Sequence, residues 1–237
     1  MPHIERNMAC WATLSDDERT HLKQLVQVFV AEKHWEGLGG LEMNDEVKAT
    51  IAVQACLLVL ELPHDLYRRV ESILVYPSTV HAPAQERSVF DASADVREQS
   101  VPILGQAFKR GPVIVVWDAV RRGGRNATDG HNVVFHEFAH KLDMLSGDAD
   151  GVPPIKDNET YQNWVTVFQR EWDALHAREK RGKRSFLNAY AGTNAAEFFA
   201  VATEQFFEQG RTMQRKHPEL YDVLRGFYRQ DPALRGA

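Results

Sequence analysis

Apolar residues recur at helical spacing in several separate stretches of this chain, and each stretch opens or closes on residues that start or stop helices. From Ser15 the sequence runs Ser-Asp-Asp-Glu, after which Leu22, Leu25, Val26, Phe29 and Val30 fall on one side of a helical projection. Ser15 with Glu18 three residues on forms a capping box, in which the hydroxyl and the carboxylate each satisfy a free amide of the first turn. The glycines at 37–40 are expected to end this helix. Asn44 opens a second helix, through Ile51, Ala55, Leu58 and Leu62, until Pro63 breaks it. Short apolar runs bounded by Pro and Gly over 73–76, 100–104 and 113–117 predict strands of a small sheet. A loop is expected over 121–130, and helices over 160–181, 194–209 and 218–229. The whole, 1–237, is expected to be one domain: an N-terminal helical layer over about 14–63, a sheet and motif helix over about 70–147, and a C-terminal helical part over about 158–230.

Residues 136–140 are His-Glu-Phe-Ala-His. Four apart on a helix, His136 and His140 lie one above the other and can turn both rings to one metal ion. Glu137, one step round, can reach a water held there, which is the arrangement of a zinc hydrolase. Val133, Val134, Phe135, Phe138 and Ala139 anchor the segment in a core, and Asp129 with Gly130 suits a helix start just upstream. The alternative is an amphipathic helix whose histidines are merely partnered by nearby polar groups.

A catalytic zinc ion ordinarily takes three protein ligands and leaves a position for water. A third histidine at the metzincin spacing is missing, because His140 is followed by Lys-Leu-Asp-Met-Leu-Ser, so a downstream carboxylate is expected. Glu197 and Glu204 are the acids of the apolar run 194–204, and a buried carboxylate needs a partner. Spacing does not choose between them. Glu197 stands three residues after Asn194, where it could complete a capping box instead. Glu204, two turns on along the same face, could be the ligand or an acceptor that orients a ligand imidazole. Asp143, three residues after His140, is open to the same orienting role or to a structural one at the helix exit.

At 237 residues and 43% hydrophobic, the chain can bury a sizeable core. A net charge of −5 excludes general affinity for nucleic acid, and the basic cluster 180–184 suits a solvated loop. Cys10 and Cys56 do not make a disulfide framework. Residues 1–10 carry charges and no apolar signal-sequence stretch, and the apolar run 51–62 is too short to span a bilayer. A cytoplasmic location without membrane contact is expected.

The run from Asp129 to Asp143, with Gly147-Asp148 and Gly151-Val152-Pro153 after it, resembles the Mlc titration factor A family of zinc-dependent peptidases. So do Trp35-Glu36-Gly37-Leu38, the helix from Asn44, Leu74-Val75-Tyr76-Pro77, Gly111-Pro112-Val113-Ile114 and the stretch from Asn188-Ala189-Tyr190 to Phe207, so that the resemblance spans nearly the whole chain. Family members often carry a longer N-terminal lead, so a segment that covers the site or binds a partner is expected to be reduced here. The resemblance implies an α+β, mostly helical, zincin-like metallopeptidase fold with a small mixed β-sheet and the His-Glu-x-x-His motif on an active-site helix. It implies one Zn²⁺ per chain on His136, His140 and Glu197, a gluzincin-like set that prefers Glu197 to Glu204, with Glu137 as the base. The family is similar in turn to lethal-factor-type catalytic domains, in which a tyrosine seven residues before the ligand glutamate faces the metal. Tyr190 holds that position, where its phenol could assist an oxyanion or leaving amine; the alternative is a tyrosine packed by its ring alone. The implied activity is hydrolysis of peptide substrates, as an aminopeptidase. The implied partner is an Mlc-like transcriptional repressor that controls sugar phosphotransferase uptake. A non-catalytic protein that only sequesters such a repressor is the other possibility, and an intact Glu137 speaks against it, since sequestration needs no base.

Overall fold

Ser15 caps the first long helix as the spacing predicts: its hydroxyl accepts from the Glu18 amide at 3.2 Å, and the Glu18 carboxylate accepts from the Ser15 amide at 2.7 Å. The computed structural model describes residues 2–78 and 111–235, and the strand expected over 100–104 lies outside them. Its elements are α1 (Pro2–Asn7), α2 (Asp16–Glu32), β1 (His34–Gly37), α3 (Asp45–Leu58), β2 (Ser72–Tyr76), β3 (Val113–Val116), α4 (Trp117–Arg125), α5 (Val133–Asp143), α6 (Asn158–Glu179), α7 (Ala195–Glu208), α8 (Gly210–Lys216) and α9 (Pro218–Tyr228). The architecture is α+β and mostly helical.

The described strands lie in the order β1-β2-β3 and all run parallel, with Trp35 opposite Ile73 and Ile73 opposite Val113. The mixed character expected for the sheet is not found among them. Ile73, Val75, Val113 and Val115 point into the core, the alternation that a pleated strand dictates. β1 occupies part of what was expected to be a helix end. Its sequence, His-Trp-Glu-Gly, has no apolar alternation, and its place comes from pairing with β2 rather than from its own pattern.

The expected loop over 121–130 is corrected by α4, which takes up its first half. The adjacent Gly123 and Gly124 weaken the helical signal there, yet Val120 is fully buried and tertiary packing overrides it. α3 is buried on almost every side from Ile51 to Leu58, as a central helix must be. α5 packs most extensively on α7 and also meets α3, α4 and β3. On the far side of α7, Phe198, Phe199 and Phe206 join Trp164 and Phe168 of α6 and Tyr221 and Tyr228 of α9 in an aromatic core, which Phe207 links to Phe135 of α5. That core holds α7 firmly behind the motif helix.

Candidate metal centre

Asn132 decides where α5 begins. Its side-chain oxygen accepts from the Val134 and Phe135 amides at 3.1 and 3.0 Å, so the cap lies three residues beyond the Asp129 at which a start was expected. Val134, Phe135, Phe138, Ala139 and Leu142 then turn into the core. His136, Glu137 and His140 are left half-buried on the remaining face.

α7 brings the carboxylates. Asn194 accepts from the Glu197 amide at 3.0 Å, but the Glu197 side chain does not turn back to complete a capping box. Its Oε2 instead lies 3.0 Å from Nε2 of His136 and 3.5 Å from Nε2 of His140, and the two Nε2 atoms are 3.2 Å apart. A tetrahedral ion with bonds of about 2.0–2.1 Å spaces its ligand atoms by roughly 3.3–3.4 Å. The triangle therefore fits one small divalent cation. It is the cluster of metal-ligating side chains found among the described residues.

Glu204 stands behind the triangle, with Oε1 2.8 Å from Nδ1 of His136 and Oε2 accepting from the Asn132 amide at 2.6 Å. A carboxylate only accepts, so Nδ1 carries a proton toward Glu204, and a cation held at the triangle would take the Nε2 lone pair in place of a second ring proton. Oε2 of Glu197 is buried, with the imidazole nitrogens of His136 and His140 beside it at 3.0 and 3.5 Å. Two imidazole nitrogens and a carboxylate oxygen aimed at one point are a donor set that fits a metal ion. The electrostatics favour a cation here. Burial works against charge on His136, but the Glu197 and Glu204 carboxylates outweigh it and push the imidazole pKa up to about 10. Burial likewise works against charge on Glu197, yet the two imidazoles hold its carboxyl far below the usual range. Positive charge is stabilised at this point.

Glu137 lies near enough to His136, Lys141 and Tyr190 to act on each electrostatically. Tyr190, in a 3-10 turn over Ala189–Gly192, sets its ring 5.9 Å from the His136 ring and is 45% exposed. Partial burial and the neighbouring Glu197 carboxylate push its phenol up to about 12, so it remains a proton donor at neutral pH. Asp143 takes the structural role: its Oδ2 accepts from the Gly151 amide at 3.0 Å, and no hydrogen bond joins it to a ligand imidazole among the described residues. Two groups escaped the sequence. Asn132 was hidden as one more residue before the motif, and Glu208, one turn beyond Glu204, accepts from the Gly130 and His131 amides at 2.9 and 3.0 Å. The signal for Glu208 was a second acid four residues on in an apolar helix.

The family model for glucose-regulated metallo-peptidase M90 matches residues 2–229. The chain belongs to this family. Among its relatives, an uncharacterized protein of Synechocystis is 37% identical over 226 residues, covering 94% of this chain and 81% of its own length. Mlc titration factor A of Escherichia fergusonii is 33% identical over 227 residues, and that of Klebsiella pneumoniae 32% over 231, each across 94% of this chain and 83% of the relative. Membership makes this a metallopeptidase-type hydrolase that takes peptides and uses a metal. His136, His140 and Glu197 lie close enough together that they could hold one. No described helix is long and apolar enough to cross a membrane.

Proposed function

We propose that this chain is a zinc aminopeptidase in which His136, His140 and Glu197 hold one Zn²⁺, Glu137 is the general base and Tyr190 is a hydrogen-bond donor to the reacting carbonyl oxygen. The observation that carries this is the triangle of 3.0, 3.2 and 3.5 Å between the three ligand atoms. Two histidines and a glutamate leave one position for water, whereas structural zinc sites are closed by four ligands. The bound ion would supply Lewis acidity, polarising the peptide carbonyl and lowering the pKa of the attacking water. Glu137 accepts that water's proton and passes it to the leaving nitrogen. Tyr190, exposed beside the His136 ring, donates to the oxygen on which charge develops. Glu204 holds the His136 ring in the tautomer that turns Nε2 outward.

β3 is the strand nearest α5, and no described strand pairs with its outer side. An extended peptide adding its backbone there would lie alongside the motif helix. Nζ of Lys141 donates to the Gly111 carbonyl at 3.1 Å and ties the start of this strand to α5. Exopeptidase action at the N-terminus rests on the resemblance to the Mlc titration factor A family. The free Cys10 and Cys56 suit a reducing compartment, and the cytoplasm is the proposed location. Metal analysis of the purified chain, with assays on amino acid p-nitroanilides and on N-blocked peptides with and without a chelator, tests the proposal. Chelator-sensitive cleavage of the free-amine substrates alone is expected; chelator-insensitive turnover would overturn it.

The name of the enterobacterial relatives favours a second activity, binding of an Mlc-like repressor. Copurification of the Glu137→Gln chain with such a repressor tests it, and no association at micromolar concentrations would remove it.

A further inference from the structure

α3 carries a polar side chain, Gln54, in the middle of its apolar stretch at 1% exposure. Both of its polar atoms are engaged. Nε2 donates to the carbonyls of Thr50 at 2.8 Å and Val120 at 3.4 Å, which turns Oε1 the other way to accept from Nδ2 of Asn132 at 2.9 Å. Asn132 is equally committed, since its Oδ1 caps α5 while its backbone N–H donates to Oε2 of Glu204. Oε1 of Glu204 then accepts a hydrogen bond from the Nδ1–H of His136 at 2.8 Å. Gln54, Asn132, Glu204 and His136 are thus joined end to end, from a helix outside the site to the ring that faces Glu197.

Two glycines make room for this chain of bonds. α4 carries Gly123 and Gly124 side by side, a pair that lowers helix propensity. A Cβ on Gly123 would stand 3.1 Å from Cα and Cγ of Asn132; on Gly124 it would stand 2.2 Å from the Asn7 carbonyl oxygen and 3.0 Å from Nε2 of Gln54. The far end is anchored too. Asn7 donates through Nδ2 to Oγ1 of Thr50 at 3.2 Å and accepts through Oδ1 from Nε of Arg125 at 3.0 Å.

We propose that Gln54 and Asn132 are positioning residues for the metal centre, acting through Glu204 on the orientation and basicity of His136. The proposal rests on the assignment of His136 as a ligand made above. One Glu204 oxygen is pinned by the Asn132 amide, so the other is held toward His136; a shift of Asn132 releases both. Without Gln54, Nδ2 of Asn132 loses its acceptor at 2.9 Å and is left with the Glu208 carboxylate nearby, so the side chain that caps the motif helix is drawn toward Glu208 and away from the orientation Gln54 gives it.

Gln54→Met keeps the volume and removes the acceptor, while Asn132→Asp keeps the helix cap and removes the donor. Affinity of the full chain for Zn²⁺ and Co²⁺, measured by chelator competition, is expected to fall roughly tenfold in each variant. Combined with Glu204→Gln, neither substitution should add to the loss that Glu204→Gln causes alone, because both act through that carboxylate. A purely structural role would lower the melting temperature of the metal-free protein with metal affinity unmoved, or would add in full to Glu204→Gln, and either result overturns the proposal. Should Gln54→Met fail to fold, Asn132→Asp decides alone. A parent chain that takes up neither ion overturns both this relay and the zinc assignment beneath it, whereas a parent that binds metal with variants that match it overturns the relay alone.

Discussion

Nδ1 of His136 stands 2.8 Å from Oε1 of Glu204, and the helix that carries Glu204 carries Glu197 two turns earlier, 3.0 Å from the other nitrogen of the same ring. One helix holds both sides of one imidazole. A carboxylate on Nδ1 makes Nε2 a stronger donor and fixes its direction. Glu204→Gln is therefore expected to weaken metal affinity by roughly 10- to 100-fold with the helical content unchanged, as read by chelator competition at fixed pH. Parental affinity in a folded Glu204→Gln chain would show that this contact does not tune the site.

Glu137 and Glu197 are expected to separate cleanly. Glu137→Gln should keep its metal and lose peptide hydrolysis by roughly 100- to 10,000-fold, the usual range for a general base. Glu197→Ala should lose the metal as well. Elemental analysis beside a turnover assay distinguishes the two, and a Glu137→Gln chain with parental kcat would exclude the assigned base.

Tyr190 is exposed and its phenol stays protonated, so its removal should act on the reaction more than on the fold. Tyr190→Phe is expected to lower kcat by roughly 10- to 100-fold with KM and melting temperature nearly unchanged. A variant that raises KM alone would make Tyr190 a substrate-binding residue instead.

Glu208 gives the fold a pH dependence. Burial, with the Asp129 and Glu204 charges nearby, outweighs the bonds it accepts and pushes its pKa from 4.5 up to about 8. Below about 4.5 both folded and unfolded chains hold this proton; between about 4.5 and 8 the unfolded chain releases it first, so the folded state loses stability as pH rises. Glu208→Gln should remove on the order of a few kcal/mol of that decline. Urea unfolding of both proteins at pH 5 and pH 8 measures it, and an equal decline in both would assign the slope to other groups.

Much of the framework was legible because it is local. The Ser15 capping box, the apolar face of α2, the helix opened by Asn44 and the one-turn spacing of His136 and His140 each depend on residues within a few positions of one another, where helical geometry alone decides who meets whom. β1 and α4 were not legible for the opposite reason. His-Trp-Glu-Gly becomes a strand by pairing with Ser72–Val75, and α4 forms through the burial of Val120 while Asn132 and Asn7 approach too closely for side chains at Gly123 and Gly124. Neither partner is near in sequence.

The site divides the same way. The sequence by itself determined that two imidazoles and a carboxylate share one face of a helix, and that an acid of the run 194–204 would need a partner once buried. Its spacing could not say which acid, since Glu197 and Glu204 lie on the same side of α7 two turns apart. The packing of α7 against α5 decided it, placing Glu197 level with the two Nε2 atoms and Glu204 behind the ring at Nδ1. A helix sets the angles between its own side chains, but the height at which two helices meet is set by the aromatic core behind α7 and by the Asn132 cap bound to Glu204, contacts that no local pattern contains.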